Sequence, residues 1–414
     1  MSARANPRST PDIVLLMTTL VLVVVGVEMV YSASFVVAQS EFNDATYFLG
    51  KQVMWVTLGL AGMVAAATID YHRLEIFSLA IIIATILALV AVLAMGSHSY
   101  GARRWFAVGP LPPIQPSEFA KLALIIYMSH WLAGKGRRVR QAGYGFVFAL
   151  LLVLVTGLIM AEPDMGTSFV LVATAVCIFF VAGANLLHFL LVGVITAAGF
   201  MYLIVEVGFR NDRLRAFLDP WADPSNSGYH TIQTLIALGS GGVTGLGLGA
   251  SRQKFFYVPN AHTDAIFAII GEELGLLGAA AVILLFGILA WRGFRIAFRA
   301  PDRFGKLLAT GLTCLIVVQA LTNVAVVTST VPYTGITLPF ISFGGSSLIV
   351  SLVGIGLLLG ISRHEQTSLR VIEGGGGPGG RQARAKPIPG QAMAASSAGF
   401  VAPRSRSPRS RRGS

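Results

Sequence analysis

The stretch SRQKFFYVPNAHTDAIFAIIGEELG, ending at Gly275, joins a polar loop to a long apolar segment. It holds two basic side chains (Arg252, Lys254), an aromatic run (Phe255, Phe256, Tyr257), one histidine, one aspartate and paired glutamates. Charge is rare in the other apolar parts of the chain, so its concentration here calls for a chemical reason. Asp264 is the candidate general base, a carboxylate at a lipid boundary beside His262 and shortly after Pro259. The plain alternative is that Asp264 caps the next helix together with Thr263. Glu272 and Glu273 follow about two turns later, roughly 12 Å along a continuous helix, too far to act on the same atom as Asp264. His262 by itself makes no metal site, because H-E-x-x-H and cysteine–histidine spacings are absent.

Other clusters could serve the same chemistry. GARRWFAVGPLPPIQPSEFAK places Arg103, Arg104 and Trp105 in a proline-rich loop and predicts a helix that starts at Ser117 as N-cap, after Pro116. Glu118 and Lys121 are one turn apart and can pair. An interfacial Trp–Arg anchor with a helix-end ion pair would explain them, yet Lys121 lies inside an apolar run, where ionisable groups mark pathways or sites. Glu162-Pro163-Asp164-Met165-Gly166-Thr167 reads as a turn with Asp164 as cap, or as carboxylate lining for a cavity. Arg210, Arg213 and Arg215 are spaced three and two apart, so the first two share a helix face. Their planar guanidinium groups suit phosphate oxygens, and equally a lipid headgroup. In VPYTGITLPFISFGGSS, paired glycines precede Ser346 and Ser347 at a helix start. Free N–H groups there can hold an anion, unless the loop is merely irregular. The glycine run 239–249 matches neither dinucleotide nor P-loop spacing and reads as flexible backbone.

The elements that must position these groups are membrane helices. Of 414 residues 54% are hydrophobic and only 12% charged, whereas soluble domains carry about 25% charged residues. Apolar runs of about 18 residues or more, enough to cross ~30 Å of hydrocarbon, recur near 13–34, 52–70, 74–95, 117–134, 144–161, 167–184, 187–207, 264–291, 307–328 and 346–362. The expected fold is an all-α polytopic membrane protein of about ten transmembrane helices, with a large outer loop between helices 7 and 8. Residues 1–12 form a cytoplasmic tail, 13–362 one membrane domain, and 363–414 a largely disordered basic tail suited to anionic inner-leaflet lipid rather than nucleic acid. Lysine and arginine set both termini inside: Arg73, then Lys135 to Arg140, then Arg292 to Lys306 fall in inner loops. A cleavable leader would invert that pattern. Against the bias, Arg103, Arg104, Arg210, Arg213, Arg215, Arg252 and Lys254 lie outside, where the long connections also fall. Cys177 and Cys314 sit within apolar segments, which argues against a disulfide or thiolate metal site.

Taken in order, GARRWFAVGPLPPIQPSEFAKL, EPDMGT, RLRAFLDPWADP, GYHTIQTLIALGSGG, AHTDAIFAIIGEELG and PYTGITLPFISFGGSS resemble the signature blocks of the SEDS family (shape, elongation, division and sporulation). The resemblance covers nearly the whole membrane domain, and SRQKFFYVP is more similar to the cell-division branch than to the rod-elongation branch. It implies a ten-span peptidoglycan glycosyltransferase in the cytoplasmic membrane, at the division septum, that polymerises lipid II on the outer face. Its implied partners are a class B penicillin-binding transpeptidase and other division proteins. Asp264 would then be the essential carboxylate, with Arg103 or Arg104, Lys121, Glu118 and Arg213 lining the cavity. The chain departs from the family pattern at Asn260, where glutamate is common, at Ala265, where phenylalanine is usual, at His230 for glutamine, and at Glu28 within the apolar first span.

The chemistry agrees with the resemblance. Lipid II is a polyprenyl pyrophosphate sugar, so its polymerase needs a base for the attacking hydroxyl and positive charge for the departing pyrophosphate. The pyrophosphate leaves without protonation, so one carboxylate can suffice where hydrolases use two. Outer basic groups would hold the pyrophosphate: Arg103, Arg104, Lys121, Arg210, Arg213, Arg215 and Lys254, with or without a divalent cation (Mg2+ or Mn2+). Glu118, Glu162, Asp164, His262, Glu272, Glu273, Ser346 and Ser347 would support them. A flippase for the same lipid would need the basic cavity but no base, and a scaffold for division proteins would need neither. The rod-elongation and sporulation members of the family are the further alternatives.

Overall fold

The computed structural model describes residues 10–99, 102–107, 113–184, 193–194, 199 and 211–374. The chain divides into two units, Met1–Arg370 and Val371–Ser414, and the site lies in the first. The expected span at 187–207 falls almost wholly outside the described residues, as do Arg210, residues 1–9 and residues 375–414.

Several helices begin where the sequence supplies caps. Helix α1 (Ile13–Phe42) starts after Asp12, whose carboxylate accepts from the Leu15 amide at 3.0 Å. Asp70 caps α3 (Tyr71–Met95) after α2 (Tyr47–Thr68). Helix α4 (Pro116–Lys135) starts earlier than expected: Gln115, not Ser117, is its N-cap, because Pro116 fits the first turn, where its missing N–H costs no helical bond. Then come α5 (Ala142–Ala161) and α6 (Met165–Val181), the latter capped by Asp164. Two short helices, α7 (Asn211–Leu218) and α8 (Tyr229–Ser240), occupy the long connection ahead of α9 (Ile266–Arg299), α10 (Arg303–Val327) and α11 (Gly345–Gly374). The expected runs other than 187–207 thus all lie on helices. Seven of the described helices are long and apolar enough to cross a membrane by length and composition; α4 and the 17-residue α6 are not among them. The one sheet among the described residues is a two-stranded ribbon, β1 (Ser97–Ser99) and β2 (Ala102–Trp105), within the expected proline-rich loop.

Among those seven, α10 and α11 are the most enclosed, with 72% and 83% of their apolar windows buried. Helix α10 packs against α9, α6 and α4, while α1 packs against α9 and α2. Away from the long connections, Arg292 pairs with Asp12, and Arg303 donates to the Ala182 carbonyl at 2.8 Å.

One expectation about the region around α9 needs correction. The helix is unbroken from Ile266 to the paired glutamates, and it breaks just after them, where Gly275 has φ 68° and ψ −167°. The glycine run, expected to be flexible backbone, is fixed against this break. The break frees the Glu272 and Glu273 carbonyls and the amides of Leu276 and Leu277, and the loop binds all four: Leu246 and Gly247 donate to the carbonyls at 3.0 Å each, and the Gly242 and Val243 carbonyls accept at 3.0 and 3.2 Å. A Cβ on Gly241 would stand 2.9 Å from the Glu272 Cα, so glycine is required by close approach.

Candidate active site

A cavity of about 1040 Å³ opens where the connections and helix ends converge. Asp264 stands on its wall and is nearly buried, at 7% exposure. It does not cap α9, whose N-cap is Ala265 without a side-chain bond. Instead its carboxylate accepts from the Tyr333 hydroxyl and, at 3.1 Å, from Thr263. The backbone is held separately, because Asn323 Nδ2 donates to the Asp264 carbonyl at 2.8 Å and to the Ile336 carbonyl at 2.7 Å. One amide on α10 therefore ties the base-bearing loop to the segment after α10. The chain's departures fit this loop. Asn260 turns it with φ 53°, a left-handed conformation asparagine enters readily, and Ala265 is fully buried.

The basic groups divide. Arg213 on α7 lines the cavity, donates to the Tyr333 carbonyl at 3.0 Å and lies 4.9 Å over the Tyr333 ring. Arg104 on β2 also lines it, with its guanidinium donating to the carbonyls of Glu162 (2.6 Å) and Pro163. Lys121 lines the cavity from α4, paired with Glu118 at 2.8 Å and donating to Gln319 Oε1 at 2.9 Å. The other expected phosphate ligands are elsewhere. Arg103 is exposed and donates to the Ala94 carbonyl at 3.3 Å, and Arg215 is exposed on α7. Lys254 is fully buried in an ion pair with Glu273 at 2.9 Å. That pair belongs to a second polar cluster. Glu272 accepts from the Ser251 hydroxyl at 2.5 Å and the Arg252 amide at 2.9 Å, and Glu273 accepts from Ser32 of α1 at 2.7 Å. Lys254, Glu272 and Glu273 clamp the loop rather than face the cavity, because the break at Gly275 and the glycine run draw residues 249–254 down onto α9.

Asp164 has both of the roles foreseen for it. It accepts from the Thr167 amide at 3.0 Å as a cap and lines the cavity, where Gln115 donates to it at 3.1 Å. Gly166 lets this turn close, since a Cβ there would meet the Thr334 carbonyl at 3.0 Å. The first residues of α11, including Ser346 and Ser347, face the same cavity with the open end of a long helix, which favours an anion. His262 lines it too, but its ring packs against Phe48 (4.5 Å) and Phe343 (5.7 Å), and burial lowers its pKa to about 4. It is therefore neutral at neutral pH and supplies no charge to a phosphate.

Glu162 lies behind the turn, fully buried, with neither carboxyl oxygen hydrogen-bonded among the described residues. Burial, and next the charge of Asp164, push its pKa up to about 8 against the pull of Arg104. The folded chain then holds a proton that the unfolded chain has released, so stability falls as pH rises from 4.5 toward about 8. Glu162→Gln stays neutral throughout. Its thermal unfolding temperature in detergent should vary less than the wild type's across that range, and an equal variation would remove Glu162 as the cause.

Sequence reasoning missed Tyr333, Gln319, Gln115 and Lys51. Lys51 lines the cavity from α2, with the Tyr47 hydroxyl at 2.5 Å. Gln319 joins Lys121 to Ser347, to which it donates at 3.0 Å. A signal for Gln319 was present, as a lone amide in an apolar run, and polar groups at such depth tend to be functional. Among the described residues no three His, Cys, Asp or Glu side chains gather as metal ligands.

The family model described as a cell cycle protein, for FtsW, RodA and SpoVE, matches residues 13–367. Stage V sporulation protein E of Bacillus subtilis (strain 168) is 43% identical over 87% of this chain and 99% of its own length. A probable peptidoglycan glycosyltransferase FtsW of Geobacter sp. (strain M18) is 40% identical over 85% of this chain and 96% of its own. Among solved structures, a chain from a peptidoglycan synthase complex superposes with a TM-score of 0.69 at 29% identity, covering 86% of this chain and 98% of that one. The rod shape determining protein RodA of Thermus thermophilus superposes with a TM-score of 0.64 at 28% identity, covering 86% and 97%. A family match over residues 13–367, with relatives 40% or more identical over most of both chains, makes the chain a member of the FtsW/RodA/SpoVE family, the SEDS family.

Proposed function

We propose that this chain is a peptidoglycan glycosyltransferase that polymerises lipid II in the cavity bordered by Asp264. The observation that carries the reading is Asp264, nearly buried on the wall of a cavity that also presents Arg213, Arg104, Lys51 and the start of α11; the other buried carboxylates there are engaged, Glu118 with Lys121 and Asp164 as the cap of α6. Asp264 takes the proton from the 4-hydroxyl of the acceptor sugar as that oxygen bonds to the anomeric carbon of the donor. The bond from that carbon to the pyrophosphate oxygen breaks, and its electron pair leaves with polyprenyl pyrophosphate. Arginine, lysine and the helix end stabilise the departing charge, so no acid is required. Thr263 and Tyr333 aim the carboxylate. Relatives named as probable peptidoglycan glycosyltransferases support the reaction class. Relatives named FtsW, together with SRQKFFYVP, support a role in septal wall synthesis in the cytoplasmic membrane, and the lysines and arginines of the expected inner loops support both termini inside. A class B penicillin-binding transpeptidase is the proposed partner, since a structural neighbour comes from a peptidoglycan synthase complex.

The test is polymerisation of labelled lipid II by the detergent-purified chain, alone and with its candidate transpeptidase. Detergent removes any need for translocation, so glycan chains mark a polymerase. Absence of chains with every candidate partner would leave a transporter or scaffold as the better reading.

A further inference from the structure

Between Leu15 and Tyr31, the exposed residues of α1 are Met17, Val21, Val24, Glu28 and Tyr31. Their spacing alternates between four and three, the period of a seam that packs against another helix along its length. Every other residue in that interval is buried or half-buried. Glu28 lies fifteen residues from the start of α1 and fourteen from its end, or about 21–22 Å from each. A carboxyl group therefore stands near mid-span on the outward face of the bundle, where ionisable groups are rare and ordinarily find a partner. Among the described residues it makes no hydrogen bond or ion pair, and the Tyr31 hydroxyl makes no hydrogen bond.

We propose that this seam is the interface between two copies of the chain, paired through α1. Two copies inserted with the same orientation are related by a two-fold axis along the membrane normal, which sets equal depths opposite each other. The seam suits that symmetry because it carries its own complement: an acceptor at Glu28 and, about 4.5 Å along the axis, a donor at Tyr31. Tyr31 of each copy donates to Glu28 of the other, making two equivalent bonds between the helices in a medium with no competing water. Val21 and Val24 pack on one side of that pair and Met17 extends the contact. Nothing in this pairing depends on Asp264 or on the reaction assigned to the cavity.

The experiment is disulfide trapping of the full-length chain in native membranes, with Cys177 and Cys314 replaced by alanine. Val24→Cys places a thiol on the seam, and Leu87→Cys, on α3 and 63% exposed, is the off-seam control. Mild oxidation should give a disulfide-linked dimer from Val24→Cys at several times the control yield. Adding Glu28→Leu or Tyr31→Phe should lower that yield several-fold, and the two together should lower it no further than either alone. Equal trapping at Val24 and Leu87, or trapping of Val24 to a different protein, would overturn the pairing of copies. An undiminished dimer in Glu28→Leu would overturn the Glu28–Tyr31 contact. Seam substitutions face outward, and an unchanged thermal unfolding temperature in detergent serves as the check that each variant is folded.

Discussion

Lys254→Met should destabilise the folded chain by about 3–5 kcal/mol, the cost of removing one partner from a buried ion pair. Lys254 is fully enclosed and donates to Glu273 at 2.9 Å and to the Gly249 carbonyl at 2.6 Å. Its loss leaves the Glu273 carboxylate beside Glu272 with only the Ser32 hydroxyl and the Ser251 amide as donors. Loop 249–258 would detach from α9, carrying away the approach to Asp264, so activity should fall with stability. Thermal unfolding in detergent measures the effect. A phosphate ligand would behave differently, with an unchanged unfolding temperature and a raised KM for lipid II. Glu273→Gln in the Lys254→Met background should recover a large part of the loss, because the stranded charge is then gone.

Misplacing Lys254 shows where sequence reading runs out. The helices were legible because hydrocarbon demands long apolar runs, and one run carried its own cap in sequence, Asp164. The pairing of Glu118 with Lys121 was legible because three residues on a helix are neighbours. Asp264 was legible as a rare charge at a boundary. Lys254 looked like an outer-loop cation because nothing in local spacing reveals that Gly275 breaks α9 and that the glycine run fills the break. Tyr333 and Gln319 were hidden for a related reason. Tyr333 reaches Asp264 across 69 positions and Lys121 reaches Gln319 across 198, contacts that periodicity does not encode. His262 was legible as a cavity residue, but its enclosure by Phe48 and Phe343, which keeps it neutral, was not.

Asp264→Asn should reduce lipid II polymerisation by about 10²–10⁴-fold, the usual contribution of a positioned general base. The substitution conserves shape. An asparagine oxygen can still accept from Tyr333 or Thr263, and the backbone carbonyl keeps its bond from Asn323. Folding and binding of lipid II should therefore be retained while turnover is lost. Were the residue only a structural support for its loop, the isosteric amide would leave turnover close to wild type. The most direct test is the rate of glycan-chain formation from labelled lipid II by purified wild type and Asp264→Asn, compared at equal unfolding temperature and equal lipid II affinity. Loss of chain formation in the variant alone is the predicted result, and equal rates would contradict Asp264 as the base.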